Sequence, residues 1–454
     1  MHNKPEVGSQ KSEVRIIPLL SHFSKEVLRG IYVLLTAYCL LSITPAFAEE
    51  LKLQPLIDEA LENNHDILMS GYGISAAEFR IPQAESLPDP MLMLGYQNDG
   101  TRDLYTFGDE MASDSMWMFS VSQMFPYPGK RSLKGEMARR DAEGLAASAD
   151  AIRLKVASTV KALYYDLFLA HKNIDLVHEM SALFSRIEDA ALSRYSTGMA
   201  PQQEVLMAQT EKYMLLEKEE MLKQNIQAGE AMLNSVVGRD ANSPLGRPAE
   251  MSPSSYDHNM DELIRTAIKN YPEIQAKEKM ISSAETKVRM AKKEYYPDFT
   301  VNAGYFAKGP DFPDMWSLAA TINIPIFYKS KQMQAVNEAG ASLSEAEHEL
   351  LAMQSMLSSG VRDNYSMFRT SERLMDLYKN GLIPKIYQDF ESALAGYVTG
   401  RVEAITVLTR LKSVIDYETL YWKQFVEREK AIARLEAITT VKSSGTDRDE
   451  GQGE

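Results

Sequence analysis

One cysteine, Cys39, is all that 454 residues contain. It lies within an apolar run near the N-terminus, Ile31–Ile43. The rest of the chain can therefore form no disulfide framework and offers no thiol nucleophile and no thiolate metal site. Histidine is scarce, at seven. His171 and His178 share a helical face but stand about 10 Å apart, too far to hold one metal ion together. There is no His-Glu-x-x-His, no Gly-x-Ser-x-Gly and no phosphate loop. The chain thus reads as a non-enzyme with no cofactor. Positive charge is in deficit: 49 Lys and Arg against 63 Asp and Glu give −14, which argues against nucleic acid as a partner. Long apolar runs are missing as well. Past residue 50 no segment reaches 18 consecutive apolar residues, so no transmembrane helix is expected there.

The N-terminus has a different character. Lys4, Lys11, Arg15, Lys25 and Arg29 precede the apolar run, and Ala46-Phe47-Ala48 follows it. A charged segment, a short hydrophobic core and a small-x-small site make up a secretory signal peptide. Residues 1–48 are therefore expected to be removed on export. The run is about 13 residues, short of the roughly 20 a spanning helix needs. Tyr38 is too bulky for a lipoprotein cleavage site. The remaining 44 Lys and Arg against 60 Asp and Glu would carry −16.

What the chain does contain is itself, twice. RYSTGMAPQQEVL (194–206) returns as GYVTGRVEAITVL (396–408). Leu56-Ile-Asp-Glu-Ala-Leu-Glu-Asn-Asn64 returns as Leu263-Ile-Arg-Thr-Ala-Ile-Lys-Asn-Tyr271, and Leu87-Pro-Asp-Pro as Tyr296-Pro-Asp-Phe. Trp117 through Phe125-Pro126 aligns with Trp316 through Ile324-Pro325. Four echoes in one order indicate a duplication. Residues 49–240 form the first repeat, with a β-hairpin at about 90–126 and a helical tip at about 195–201. Residues 259–440 form the second, with a hairpin at about 298–327 and a tip at about 397–401. A Gly-, Pro- and Ser-rich linker, 241–258, joins them, and the polar tail 441–454 is expected to be disordered.

Two periods alternate inside each repeat. Val156, Val160, Leu163, Leu167, Ala170, Ile174, Val177, Ser181 and Phe184 are spaced by four and three, the seam of a helix packed along its length. No proline interrupts Lys130–Tyr195, so this helix should run about 100 Å. Its counterpart at about 330–396 contains Asn380-Gly381 and Pro384, where a kink is expected. Shorter helices are predicted at about 51–86, 201–237, 259–295 and 401–438. The hairpin segments switch to period two. Phe299, Val301, Ala303 and Tyr305 alternate with Thr300, Asn302 and Gly304. In 315–326, Trp316, Leu318, Ala320, Ile322, Ile324 and Ile326 alternate with Ser317, Thr321 and Asn323. Trp117, Phe119 and Val121 oppose Ser120 and Ser122, while Met91–Tyr96 alternates poorly. Such segments carry the weak signature of transmembrane β-strands. Four strands cannot close a barrel alone, whereas three copies would pool twelve.

The duplicated layout, Pro-Tyr-Pro-Gly-Lys-Arg (126–131) after the second strand and the paired Tyr-x-x-Gly-x₆-Val-Leu tips resemble the TolC-type outer-membrane efflux proteins. The resemblance covers about 50–440. It implies an α+β fold: a homotrimer whose twelve-stranded transmembrane β-barrel, four strands per protomer, sits in outer-membrane lipid. That barrel would continue into a long α-helical periplasmic barrel. It also implies a periplasmic adaptor docking at the tips, Tyr195, Thr197, Gly198, Tyr397, Thr399 and Gly400, and an inner-membrane pump of the RND type behind the adaptor. Gly198 and Gly400 are expected at φ > 0, and Pro201 suits a first helical turn. Many members carry two gating aspartates after the second tip. This chain departs from that pattern with Thr406 and Thr409. Glu204 and Tyr397 form a candidate closing contact.

The function implied is an exit duct of a tripartite efflux system. The alternatives are the duct of an ATP-driven protein secretion system or a periplasmic coiled-coil scaffold. Of 25 methionines, Met91, Met93, Met111, Met116, Met118 and Met124 lie near the first hairpin. Thioethers suit Cu(I) or Ag(I), and methionine is also a flexible apolar filler. The cargo reading leans to metal ions or small molecules. The loop 97–114, with Asp99, Asp103, Asp109, Glu110 and Asp114, reads as a solvated external loop.

Overall fold

A computed structural model describes residues 50–100 and 102–441. The expected signal peptide (1–48) and, apart from Val441, the expected tail (441–454) lie outside the described residues. In chain order the elements are α1 (Leu53–Asn63), α2 (His65–Glu85), β1 (Met91–Gln97), β2 (Met116–Phe125), α3 (Lys130–Ser196) and α4 (Gln202–Val237). Then follow α5 (Met260–Asn270), α6 (Pro272–Lys293), β3 (Phe299–Ala307), β4 (Met315–Ile322), α7 (Gln332–Asp376), α8 (Ile383–Val398) and α9 (Ala404–Thr439). The long helix α3 has 67 residues, about 100 Å at 1.5 Å per residue.

Several boundaries differ from the sequence expectation. The predicted helix 51–86 is two helices, divided by Asn64. That residue is extended (ψ 127°), and its side chain accepts from the Asp66 and Ile67 amides at 2.9 and 3.3 Å. An N-cap thus restarts the helix within one residue. The predicted helix 259–295 divides likewise at Tyr271, where Pro272 opens α6. The expected kink near Asn380-Gly381 is a π-helical turn, Leu377–Leu382, that carries α7 into α8. The backbone stays helical on both sides, at Leu377 and at Ile383. Pro384 follows immediately and has no N–H to give to the regular ladder.

The core falls into three clusters. Near the tips, Val177, Met180, Phe184 and Ile187 of α3 pack on Phe390, Val407, Leu411 and Val414. A middle cluster joins Leu56 and Ala60 of α1 to Val160, Phe168, Leu233 and Phe425. A third gathers Tyr256, Leu263, Val361, Phe368 and Leu435. The 241–258 linker is held at both ends. Leu51 bridges to it, donating to Arg247 O at 2.8 Å and accepting from the Ala249 amide at 3.2 Å. Further on, Glu429 accepts the Ser254 amide and hydroxyl, and Arg428 donates to Ser254 O at 2.7 Å.

The four strands form one antiparallel sheet in the order β1-β2-β3-β4, so the two repeats meet at β2–β3. β4 stops at Ile322, short of the predicted 326. Its last ladder partner is Phe299; one more backbone bond, from the Asn323 amide to Asp298 O at 3.1 Å, follows before Pro297 and Pro325, which have no N–H to continue the pairing. The register places Leu92, Leu94, Trp117, Phe119, Val301, Tyr305, Trp316 and Leu318 on one face. Ser120, Ser122, Thr300, Asn302, Ser317 and Thr321 stand on the other. The apolar face is exposed, with Trp316 at 80%. A water-soluble sheet would bury that face. The 97–114 loop folds back over the end of the sheet. Tyr96 Oη accepts the Thr106 amide at 2.8 Å, and the hydroxyls of Thr106 and Ser115 are in contact at 2.5 Å.

Candidate functional site

Two helix ends make the site. At the end of α3, Gly198 takes φ +72°, its amide reaches Tyr195 O at 3.0 Å, and the Met199 amide reaches back to Arg194 O at 2.8 Å. At the end of α8, Gly400 takes φ +75°, its amide reaches Tyr397 O at 3.0 Å, and the Arg401 amide reaches Gly396 O at 2.8 Å. Both are Schellman-type stops, in which the left-handed residue lets the chain reverse onto its own last carbonyls. The threonines complete them. Thr197 Oγ1 donates to Ser193 O and Arg194 O, both at 3.1 Å. Thr399 Oγ1 donates to Ala395 O and Gly396 O at 3.2 and 3.0 Å. Each threonine hydroxyl thus gives a second donor to carbonyls of the last turn that already accept a backbone amide. Pro201 stands at the N-cap of α4, one place before the helix.

The tyrosines of the motif part company. Tyr195 is 44% exposed, whereas Tyr397 is wholly buried. Tyr397 Oη donates to Glu204 Oε2 at 3.0 Å. Arg194 Nη1 donates to Tyr397 O at 2.9 Å, and its guanidinium lies 4.5 Å from the ring centroid. Glu204 sits in the first turn of α4, where the helix dipole favours a carboxylate. The two tips are thus tied by one phenol, one carboxylate and one guanidinium. Arg194 is the member that spacing did not single out, although it directly precedes the tyrosine of the first tip. Burial, with the Glu204 carboxylate beside it, pushes the Tyr397 phenol up to about 12. Thr406 is half-buried, and Thr409 is exposed and donates to Ile405 O at 2.7 Å, so neither supplies charge here.

A second polar knot lies where sheet meets helices. Lys130, 3% exposed, donates to Asp298 at 2.9 Å, to Tyr296 O at 3.1 Å and to Glu294 at 3.2 Å. All three ammonium protons are used. Asp298 also accepts the Tyr127 amide at 2.7 Å, and Tyr127 stacks on Tyr296 at 4.5 Å. Gly129, at φ +92°, turns the chain so that α3 can begin at the lysine. Pro-Tyr-Pro-Gly-Lys-Arg is therefore a clasp between the two repeats.

The family model for outer membrane efflux proteins matches residues 56–239 and 263–414, most of the described chain. The chain belongs to that family. No curated protein matches it by sequence. Among solved structures, this efflux protein is similar to CusC, at a TM-score of 0.74 and 15% identity over 86% of this chain and 92% of that one. It is similar to VceC of Vibrio cholerae at 0.71 and 18%, covering 85% and 95%. It is also similar to the CmeC channel of Campylobacter jejuni at 0.73 and 15%, covering 85% of each. Likeness at such identities establishes the fold. The efflux protein is an outer-membrane channel with a large periplasmic helical part, in a family of ducts rather than enzymes. Among its described residues no helix is long and apolar enough to cross a membrane.

Proposed function

We propose that three copies of this chain form the exit duct of a tripartite efflux system, in which a periplasmic adaptor docks at the tips and an RND-type inner-membrane pump supplies the energy. The observation that carries the reading is the sheet. Its outer strands β1 and β4 end in unpaired edges, and its apolar face is exposed. Edges of that kind cannot face lipid, but they can pair with the next copy. Cargo is read as metal ions or small molecules passing along the small-polar face. Fractionation tests the proposal. A duct stays with outer membranes through a high-salt wash and runs as a heat-sensitive oligomer, whereas a periplasmic scaffold washes off.

The tip knot is the gate in this reading. Tyr397→Phe removes a hydrogen bond to a charged acceptor, worth about 1.5–3 kcal/mol, and should raise single-channel conductance in planar bilayers. Unchanged closed currents would refute the gate. Alkali provides an independent route. The bonding form is the neutral phenol, whose folded pKa lies above the unfolded value. The contact therefore contributes in full below about pH 10 and is lost as pH rises through about 12. Conductance should climb across that window in the parent and not in the phenylalanine variant.

A further inference from the structure

Every methionine of the sheet stands on the same face. The register sets Met91 and Met93 of β1, Met116, Met118 and Met124 of β2 and Met315 of β4 in step with the serines and threonines, and none beside the leucines and tryptophans. This is also why β1 alternates poorly when read alone: both of its faces are apolar, but only one carries thioethers. Met116 is buried and serves as packing. The others cannot be explained that way. An apolar filler belongs where apolar surface leaves water, and in the duct that is the lipid face. That face is built from Leu, Val, Ile and aromatic residues instead. Met91 and Met93 remain 65% and 52% exposed on the small-polar face.

The geometry around Gly95 sets Met118 diagonal to Met93, with Met91 the next methionine along β1 on the same face. Gly95 pairs with Met118, and a Cβ on Gly95 would stand 3.1 Å from the Met118 terminal methyl. The missing side chain is the space through which Met118 lies across β1. Met93 is two residues along on the same face, and Met91 two further. Diagonal neighbours on one face of a sheet are about 7–8 Å apart at Cα, within reach of long side chains. The donors are neutral thioethers. Neither histidine nor carboxylate stands on that face of the strands, so hard divalent cations find no anionic oxygen ligand there. Soft monovalent ions find thioethers.

We propose that Met93 and Met118, with Met91 next to Met93 as a further donor, form a binding site for a soft monovalent cation, Cu(I) or Ag(I), on the small-polar face of the barrel. As a step along a transport path it rests on the duct reading; as a binding site it can be measured apart from it. The probe is Ag(I), titrated into the purified full-length oligomer in detergent, with X-ray absorption to identify the ligating atoms. The parent is expected to bind Ag(I) with sulfur in its first shell. The triple variant Met91→Leu, Met93→Leu, Met118→Leu keeps side-chain volume and should bind at least tenfold more weakly. In bilayers, Ag(I) should lower the parent current at least twofold and leave the variant current unchanged. Equal binding by both proteins, or a shell of nitrogen and oxygen only, overturns the site. A chain that forms no channel yet binds Ag(I) through sulfur keeps the site and loses the duct. Cys39 is removed as a rival ligand by running both proteins on a Cys39→Ser background.

Discussion

Replacing Lys130 with methionine is expected to cost the fold about 3–5 kcal/mol, the usual consequence of removing one partner from a buried ion cluster. The lysine is almost without solvent access, and its three protons satisfy Asp298, Glu294 and the Tyr296 carbonyl. Methionine fills the space but leaves Asp298 facing a thioether, held by the Tyr127 amide alone among these partners. The check is the temperature at which the oligomer band dissociates, measured beside Asp298→Asn and the double variant. Because neutral Asn needs no counter-ion, the double variant should be no less stable than Lys130→Met alone. If Lys130→Met melts with the parent, the clasp is not structural.

Cysteines at Ala320 and Leu94 are expected to link neighbouring copies into a covalent series that ends at three. The duplication gives the register. Val121 faces Ala303 across β2–β3. Val121 lies four residues after Trp117, as Ala320 lies after Trp316, and Ala303 lies two before Tyr305, as Leu94 lies before Tyr96. If β4 of one copy meets β1 of the next as β2 meets β3, Ala320 faces Leu94. Directly opposed residues have Cα atoms about 4.5–5.5 Å apart, inside the range a disulfide can bridge. Moving one cysteine along the strand, as in Ala320 with Leu92, should abolish the link. A non-reducing gel decides: monomer alone, or bands beyond the trimer, would refute the closed ring. The chain's cysteine poverty makes the experiment clean.

Much of this was legible in the residues. Period four-three set α3, period two set the strands, and the paired Tyr-x-Thr-Gly turns marked where hairpins reverse. Each of these is a local regularity, and local regularity is what a sequence displays. The misses have a different origin. Asn64 and Tyr271 break helices over a single residue, too briefly to disturb a helical pattern. The clasp unites Lys130 with residues 164 and 168 positions away, and Ser254 finds Glu429 across 175. No periodicity announces partners so distant. Nor could alternation alone show that the methionines of β1 share a face with the serines of β2, since that needs the register.

The π turn leaves the two repeats equal in length but not in phase. Lys130–Ser196 and Gln332–Val398 each run 67 residues. On α7 the buried positions are Leu357, Val361, Asn364, Phe368, Ser371 and Met375, a four-three rhythm. On α8 they are Phe390, Ala393 and Tyr397, the same rhythm displaced by one residue. The wide turn consumes a residue without advancing the seam, and one residue of α-helix is about 100° of rotation. The second hairpin is wound differently from the first. That is how one tyrosine of a duplicated motif can face solvent while its twin is buried against Glu204. The two tips of the chain are therefore unlike, and in the proposed duct a docking partner would meet two kinds of contact in alternation, set by the winding of a single helix.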